Sequence, residues 1–401
     1  MKYVVILPDG MADNRYLELS NKSPVEYADT PTFDFIARHG ILGQVKTIPD
    51  ELPSGSDVAI MSVMGYDPRK YYMARGPLEA VSLNIPFTEH DIIFRFNLIT
   101  IEDNRMESSN AYHIKTEEAR KIIDYFNKSM YFDGIKFFAG TGYRHIMLID
   151  SRKYPELDYL DLQCTPPHDI VNQLIEYYLP RGKGEDLIRH IMWFSNEILE
   201  KYKKQNPKSR ANLFWPWGQG KIKKIAKFSE KYGIDGSVIS AVDLIKGLGA
   251  FVGLEVIEVP GATGYYDSNF EGKTAAALAA LKNKDFVFVH IEATDEAGHD
   301  GNLQKKIEMI EIVDKVIAAP ILDFLKNNYD DFRIMVLPDH PTPITLRTHE
   351  NKPVPFAIYD NRRKIESNKI YSEFAEIPQK YFIQDGYSLM EKFINHIDYF
   401  F

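Results

Sequence analysis

The 401-residue chain contains a single cysteine, Cys164, so internal disulfide bonds contribute nothing to its stability. No apolar stretch reaches the length that a membrane-spanning helix requires. The N-terminal letters MKYVVILPDG describe a strand and a turn rather than a signal peptide. From these absences we expect a cytoplasmic protein without a membrane anchor.

Positive charge is also in short supply, with 48 Lys and Arg against 57 Asp and Glu and a net charge of −9. Nucleic-acid backbones require a basic surface, so we expect no nucleic-acid partner. A small anionic substrate is still compatible with this charge, because bound divalent cations reverse the sign of the local field. The sequence has neither a GxxxxGK[ST] loop nor a GxGxxG turn after a strand, which disfavours the common nucleotide-binding folds.

The chain is longer than an average domain, and its composition, with 44% apolar and 26% charged residues, is typical of a globular enzyme. Between residues 86 and 228 the pattern changes to alternating strand-like and helical stretches. We therefore predict an inserted domain over 86–228, with residues 1–85 and 229–401 together forming a discontinuous catalytic domain. Within the insertion we predict a helix over 169–178 and an aromatic loop over 214–218.

Two short apolar runs near the C-terminus each end in acids and histidines. FVFVHI is followed by Asp295 and His299, whereas RIMVL is followed by Asp339 and His340, with His349 shortly after. Such runs are typical of buried parallel strands, and ligands bind beyond the carboxyl ends of those strands. Any one of these side chains alone could be a helix cap or an ordinary loop residue, but the five together favour a Zn²⁺ or Mn²⁺ site.

The same pattern occurs at the N-terminus, where the predicted strand Lys2–Leu7 is closed by a turn containing Asp9. This makes Asp9 a third carboxylate at a strand end. Further on, Ser56 lies at the start of a helix predicted over 57–64, where free N–H groups favour an anion. The residues leave two interpretations of Ser56 equally open: a carrier of phosphate, or a simple N-cap.

Twelve motifs occur in family order over nearly the whole chain: PDGMAD, PSGSD, GYDP, RGPLEA, GYRH, TPPHD, WPWGQG, SAVDLIKGLG, VPGATG, EATDEAGH, LPDHPTP and THENKPVPF. On these motifs the chain resembles the cofactor-independent phosphoglycerate mutases of the alkaline phosphatase superfamily, in their archaeal-type branch. The resemblance implies an α/β fold, with a three-layer core around a mostly parallel sheet and an inserted α+β lid domain.

The resemblance also implies a set of site residues. Ser56 is implied as the nucleophile, and two divalent ions are implied, Mn²⁺ or Zn²⁺ in the first place and Co²⁺ or Mg²⁺ as alternatives, with no need for bisphosphoglycerate. The implied ligands of the first ion are Asp9, Ser56, Asp339 and His340, and those of the second are Asp295, His299 and His349. Within the matching motifs, each candidate substrate contact has the alternative of an ordinary exposed ion pair or a turn residue. These candidates are Arg75, Arg144, His145, His168, Asp169 and, for phosphate, Lys246.

The activity that the resemblance implies is the interconversion of 3-phosphoglycerate and 2-phosphoglycerate through a phosphoserine. The alternative is a related phosphotransferase such as a homoserine kinase, or a phosphomonoesterase, with the same two-metal core. A third interpretation is a catalytically silent scaffold. We disfavour the scaffold because Ser56 and all the implied ligands are present. The sequence carries no signal for an oligomeric state.

Overall fold

The computed structural model describes residues 1–129 and 132–400. Numbered in chain order, the strands are β1 (Lys2–Pro8), β2 (Ile41–Val45), β3 (Asp91–Glu102), β4 (Arg105–Ser108), β5 (Ile135–Ala139), β6 (Arg144–Asp150), β7 (Leu213–Gly220), β8 (Gly236–Ile239), β9 (Glu255–Ile257), β10 (Phe286–Ile291), β11 (Phe332–Val336), β12 (Val354–Asp360) and β13 (Phe382–Ile383). The helices are α1 (Pro24–Tyr27), α2 (Pro31–Arg38), α3 (Ser56–Val63), α4 (Pro68–Tyr71), α5 (Arg75–Ser82), α6 (Thr116–Ser129), α7 (Glu185–Gln205), α8 (Phe228–Tyr232), α9 (Asp243–Phe251), α10 (Phe270–Leu281), α11 (Ala293–Asp300), α12 (Leu303–Ile312), α13 (Ala319–Asn328) and α14 (Leu389–Ile394).

The chain divides into two units, of which unit 1 comprises Met1–Tyr72 with Ile225–Phe401 and unit 2 comprises Met73–Lys224. The boundary predicted at residue 86 lies later in the chain than this division after Tyr72. The difference arises because α5 belongs with unit 2, where Ala80 packs in one apolar cluster with Ile93 of β3 and Ile146 of β6. No helix in the described ranges is both long and apolar enough to cross a membrane.

Unit 1 is built on an eight-stranded sheet with the order β13-β2-β12-β11-β1-β10-β8-β9. Strand β1 pairs in parallel with both β10 and β11, and β8 pairs in parallel with β10 and β9. Only β12 runs antiparallel to its neighbours, β11 and β2, in this described sheet. The predicted mostly parallel sheet is confirmed, and its central strands are almost completely buried.

Helices cover both faces of this sheet, which gives the predicted three layers. On one face Val4 and Val287 join an apolar cluster with residues of α2, α10 and α13. On the other face Phe286 packs against Phe228 of α8 with ring centroids 4.5 Å apart, and Tyr3 packs against Phe393 of α14 at 5.7 Å. Because strand side chains alternate between faces, the near-continuous apolar runs of β1 and β10 are what a sheet covered on both sides requires.

Unit 2 contains an antiparallel sheet with the order β4-β3-β6-β5, and β7 pairs with β3. Helices α6 and α7 contribute residues such as Ile122 and Ile191 to the main apolar cluster with Phe94 and Phe96 of β3. The α+β character that was predicted for the insertion is therefore confirmed.

Two local predictions in unit 2 are wrong. The aromatic segment 214–218 is not a loop but lies within β7, where Pro216 pairs with Phe96 of β3. Proline is tolerated there because β7 is an edge strand that pairs only with β3 among the described strands. The N–H group that proline lacks is therefore not needed for pairing with a second strand. The predicted helix over 169–178 is replaced by two 3₁₀ turns, Pro167–Ile170 and Ile175–Tyr178. Asn172, which lies between the two turns, has a φ of +66°, and a continuous right-handed helix does not accommodate that backbone conformation.

Candidate active site

Three carboxylates meet at one edge of the unit 1 sheet. Asp9 comes directly after β1, Asp339 follows β11, and Asp295 lies in the first turn of α11 after β10. Because β1 pairs in parallel with β10 and β11, the carboxyl ends of the three strands face the same side. Each of the three side chains is buried, with exposed fractions of 5% for Asp9, 0% for Asp339 and 9% for Asp295.

The first group of side chains, here called the serine cluster, consists of Asp9, Ser56, Asp339 and His340. The Nε2 atom of His340 lies 3.1 Å from Ser56 Oγ, 3.2 Å from Asp339 Oδ2 and 3.5 Å from Asp9 Oδ1. Ser56 Oγ also donates to Asp9 Oδ1 at 3.5 Å. Ser56 is the first residue of α3 and Gly55 is its N-cap, so the side chain of Ser56 is left facing the carboxylates instead of capping the helix.

The second group, here called the histidine cluster, consists of Asp295, His299 and His349. His299 Nε2 lies 3.1 Å from Asp295 Oδ2 and 2.9 Å from His349 Nε2, and His349 Nε2 lies 3.6 Å from Asp295 Oδ1. The His349 ring stacks on His340 with centroids 4.0 Å apart, so the two clusters adjoin each other. Ligand atoms of Asp295, His340 and His349 are close enough together to hold one ion, as are those of Asp9, Asp339 and His340.

The Nδ1 atoms of His299 and His349 each lie near a backbone carbonyl outside the histidine cluster. His299 Nδ1 lies 3.0 Å from the Arg347 carbonyl and His349 Nδ1 lies 3.3 Å from the Ser54 carbonyl. An Nδ1–H group that donates to a carbonyl leaves the Nε2 lone pair directed into the cluster. These two rings therefore present the nitrogen that a metal ion accepts.

The chemistry of the serine cluster fits a divalent cation. Asp339 Oδ1 accepts the N–H groups of Gly10 and His340 at 3.1 and 3.0 Å, but its buried Oδ2 accepts no hydrogen bond from the described residues. A buried carboxylate oxygen without a donor is costly, and a bound cation would satisfy it. Burial raises the pKa of Asp9 well above its usual range, and the carboxylates of Asp339 and Asp295 raise it further. A divalent ion would also offset that repulsion.

In unit 2, the predicted substrate contacts Arg75 and His168 lie around the indole of Trp217. The guanidinium of Arg75 is 5.6 Å from the Trp217 ring centroid, and the His168 ring is 5.3 Å away. Arg95 covers the same indole at 4.5 Å while its Nη1 pairs with Glu79 at 2.6 Å. These contacts place three cationic or titratable side chains around one aromatic ring.

Arg144 belongs to the same face of the unit 2 sheet. It pairs with Asn97 of β3, and Asn97 lies two residues after Arg95, so the three side chains share a face. Burial lowers the pKa of Arg95, and the positive charges of Arg144 and Arg75 act in the same direction. Asp169 is exposed and its Oδ1 lies 3.6 Å from His168 Nε2. The face is therefore rich in positive charge.

The structure does not bring His145 together with Arg144. As the next residue of β6, His145 points to the opposite face of the sheet, where it is fully buried with its ring 5.3 Å from that of Phe96. Burial lowers the pKa of His145 to about 3, with Arg95 and Arg144 contributing. This position suits a core histidine rather than a substrate contact.

Lys246, the remaining predicted contact, lies on α9 of unit 1. Its Nζ pairs with Glu258 at 2.6 Å and lies 4.0 Å from Asp243, and its side chain is only 13% exposed. Helix α9 packs against α3, the helix that begins with Ser56. Lys246 is therefore on a neighbouring helix, with its ammonium group held in an ion pair.

Comparison with known proteins shows a consistent set of relatives. Residues 1–383 match the Metalloenzyme superfamily. A protein of Methanosarcina barkeri named 2,3-bisphosphoglycerate-independent phosphoglycerate mutase is 47% identical over 364 residues, which cover 90% of either chain. A Geobacter sulfurreducens protein, named as a probable enzyme of the same kind, is 41% identical over 98% of this chain and 100% of its own.

The chain belongs to the family of 2,3-bisphosphoglycerate-independent phosphoglycerate mutases.

Solved structures show the same fold. A protein of Pyrococcus horikoshii has a TM-score of 0.78 and 27% identity, covering 99% of this chain and 97% of its own. The cofactor-independent phosphoglycerate mutase of Thermoplasma acidophilum shares the fold, with a TM-score of 0.65 and 23% identity over 98% and 99% of the two chains. The family resemblance drawn from the sequence motifs is thus confirmed, and the kinase and phosphatase alternatives are not favoured by these relatives. Metal binding follows from membership of a metalloenzyme superfamily.

Sequence reasoning missed several residues that touch the candidate sites. His290 Nε2 lies 2.9 Å from Asp9 Oδ2. The same imidazole contacts Glu292, which in turn forms a buried ion pair with Lys273. In unit 2, Arg95 and Trp217 were not recognised as partners of the predicted cations. The signals were present but weak: His290 is a polar residue inside an otherwise apolar strand, and Arg95 interrupts the apolar run of β3.

Proposed function

We propose that this chain interconverts 3-phosphoglycerate and 2-phosphoglycerate, with Ser56 carrying the phosphoryl group between the two positions. The observation that carries the proposal is the position of Ser56 Oγ, 3.1 Å from His340 Nε2 and 3.5 Å from Asp9 Oδ1 at the first turn of α3. A mutase that works without bisphosphoglycerate needs a side-chain hydroxyl to carry the phosphoryl group, and a metal centre can activate that hydroxyl. The proposed activity requires no bisphosphoglycerate.

The residues proposed to hold two divalent ions are those of the two clusters. Asp9, Ser56, Asp339 and His340 would hold one ion, and Asp295, His299 and His349 the other. When bound, such ions lower the pKa of a ligated hydroxyl and neutralise the oxygens of a transferring phosphoryl group. Carboxylate and imidazole ligands suit Mn²⁺ and Zn²⁺ first, with Co²⁺ and Mg²⁺ as alternatives.

In the first step of the proposed reaction, the Ser56 hydroxyl gives up its proton to solvent and Oγ attacks the phosphorus of 3-phosphoglycerate. The bond from phosphorus to the substrate's 3-oxygen breaks, and that oxygen takes up a proton to give glycerate. The N-terminus of α3 stabilises the phosphate now carried on Ser56, because free backbone N–H groups and the helix dipole favour an anion. The 2-hydroxyl of glycerate then loses its proton and attacks the same phosphorus. The bond from phosphorus to Ser56 Oγ breaks, and Oγ takes up a proton, so the cycle gains and loses no proton overall.

Glycerate must stay bound between the two steps, since water would otherwise hydrolyse the phosphoserine. We propose that Arg75, Arg144 and His168 of unit 2 bind the carboxylate and hydroxyls of the substrate, with Asp169 as a hydrogen-bond acceptor. The positions of Arg75 and His168 beside Trp217 support this assignment, as does the location of Arg144 on the same face of the sheet as Arg95. Lys246 is proposed to contact phosphate, whereas the burial of His145 supports no such contact. The lid role of unit 2 and the cytoplasmic location stay predictions.

The test replaces the proposed nucleophile. Ser56→Ala should lower turnover by at least about a thousandfold, because no other hydroxyl of the serine cluster can carry the phosphoryl group. Ser62→Ala, a change at a buried serine of the same helix, is the matched control and should keep near-normal turnover. Mass spectrometry of acid-quenched wild type should find phosphate on the peptide containing Ser56. Substantial turnover by Ser56→Ala, or phosphate on a different residue, would contradict the proposal.

A further inference from the structure

Behind the serine cluster, four ionisable side chains form a continuous hydrogen-bonded series inside unit 1. Asp9 Oδ2 lies 2.9 Å from His290 Nε2, and His290 Nδ1 lies 3.2 Å from Glu292 Oε1. Glu292 Oε2 accepts a hydrogen bond from Lys273 Nζ, which also donates to the His290 carbonyl at 2.8 Å. The exposed fractions of His290, Glu292 and Lys273 are 0%, 3% and 0%.

The members of this series come from separate elements. His290 is on β10, Glu292 is the N-cap of α11, and Lys273 is on α10. Glu292 Oε1 also accepts the Ala241 N–H at 2.6 Å and the Ser240 hydroxyl at 3.0 Å, and both of these residues follow β8. Ser240 Oγ also lies 3.0 Å from His290 Nδ1, so the segment after β8, together with α10 and α11, holds His290 in place.

Buried ion pairs are weak sources of stability, because desolvation offsets most of their attraction. Apolar side chains of similar size would serve the core of unit 1 as well as Lys273 and Glu292 do. In addition, the series fixes the orientation of the Asp9 carboxylate, because its last hydrogen bond is made to one oxygen of this proposed metal ligand. His290 occupies Asp9 Oδ2, and only Oδ1 faces Ser56 and His340, at 3.5 Å from each.

We infer that Lys273, Glu292 and His290 are positioning residues that make Asp9 a ligand through Oδ1 alone, and so set the metal affinity of the serine cluster. This inference rests on the proposed function only in taking Asp9 as a metal ligand. The other two carboxylates are oriented differently in the described structure, Asp339 by the backbone N–H groups of Gly10 and His340 and Asp295 by Thr342. The series therefore acts on one metal site and not on the other.

The test is a calorimetric titration of the metal-free full chain with Mn²⁺, analysed for two sites. His290→Leu should weaken one site by about 10- to 100-fold, the usual effect of losing a group that orients a ligand, and leave the other within about threefold. His290→Gln, whose amide N–H can still donate to Asp9, should recover most of the affinity. Arg333→Met, which breaks a buried 2.8 Å ion pair with Asp360 in the same unit, is the control and should change neither affinity.

Asp9→Asn identifies which site is affected. In the Asp9→Asn background, His290→Leu should cause no further loss, because a residue that acts through Asp9 has nothing left to orient. An additional loss, or equal weakening of both sites by His290→Leu, would overturn the inference. The inference would also be overturned if Asp9→Asn abolishes one site but His290→Leu leaves the Mn²⁺ affinities of both sites unchanged. If Asp9→Asn changes neither site, or the wild type binds no ion, the ligand assignment of the proposed function fails first.

Thermal unfolding of each metal-free variant shows whether it folds. Should His290→Leu not fold, Glu292→Gln takes its place, since a glutamine keeps the shape and can still accept the Ala241 N–H. Glu292→Gln should weaken the same site as Asp9→Asn does, by at least about threefold, with the other site unchanged. Affinities equal to those of the wild type in a folded Glu292→Gln protein would overturn the inference.

Discussion

At the scale of single residues, the same side chain acquires different properties from its neighbours. Asp9 and Asp295 are both buried carboxylates, yet burial and two neighbouring acids raise the pKa of Asp9. Burial also acts to raise the pKa of Asp295, but hydrogen bonds from His299 and His349 outweigh it and lower that pKa well below its usual range. The residue type alone therefore does not determine the pKa of each carboxyl group, and so does not determine how readily the group ionises to bind a metal ion.

His145 gives a prediction at this scale. Its Nδ1 accepts the Gly140 N–H at 3.1 Å, so the proton of the neutral ring lies on Nε2. Because burial lowers its pKa to about 3, the ring should stay neutral from pH 8 down to pH 5. The unfolded chain, with an ordinary histidine pKa near 6.5, binds a proton first, so this residue makes folding less favourable as the pH falls below that value.

Two-dimensional nitrogen NMR of the histidine rings measures this directly. The His145 signals should show the Nε2–H tautomer and no titration between pH 5 and 8. A charged His145 ring at pH 6 would contradict the position described for it and would return it to the candidate substrate contacts.

At the scale of elements, the site depends on how closely β1 and its turn approach α11 and the loop after β11. Gly10 has a φ of +58°, and a Cβ atom there would collide with Asp295 and with the hydroxyl of Thr342. Its N–H also donates to Asp339 Oδ1 at 3.1 Å. One glycine thus adjoins carboxylates of both clusters.

Gly10→Ala should therefore lower the metal affinity of both sites, by at least about tenfold each, since both carboxylates must shift. Gly233→Ala is the matched control, because Gly233 has a φ of +69° but no atom lies within 4 Å of the added Cβ. Both variants carry the left-handed backbone strain, about 1 kcal/mol. Equal metal affinities in the two variants, measured by calorimetry, would show that close packing at Gly10 does not matter to the clusters.

Much at this scale could be predicted from the sequence, because β1, β10 and β11 are short apolar runs that each end in an acid. The strand β7 could not, since Pro216 and two tryptophans resemble a loop until the pairing with β3 is known. His290 gave little signal for a similar reason. Inside FVFVHI it is one polar residue on a buried strand, and its partners Asp9 and Lys273 are distant in sequence.

At the scale of the whole molecule, the chain combines a unit with a mostly parallel sheet, which contains both clusters, with an antiparallel α+β unit inserted into it. Membership of the family could be predicted because twelve motifs occur in order along the chain. The grouping of Arg75, Arg95 and His168 around Trp217 could not be predicted, because these residues come from separate elements of unit 2. Only the fold brings them to one indole ring.

The central claim is that the two clusters and Ser56 move a phosphoryl group within phosphoglycerate without releasing it. Phosphorus NMR of the protein with Mn²⁺ and 3-phosphoglycerate, without bisphosphoglycerate and with a chelated control, tests this most directly. The account predicts metal-dependent growth of the 2-phosphoglycerate signal with little inorganic phosphate. Inorganic phosphate as the main product, or no change in the spectrum of metal-loaded protein, would contradict it.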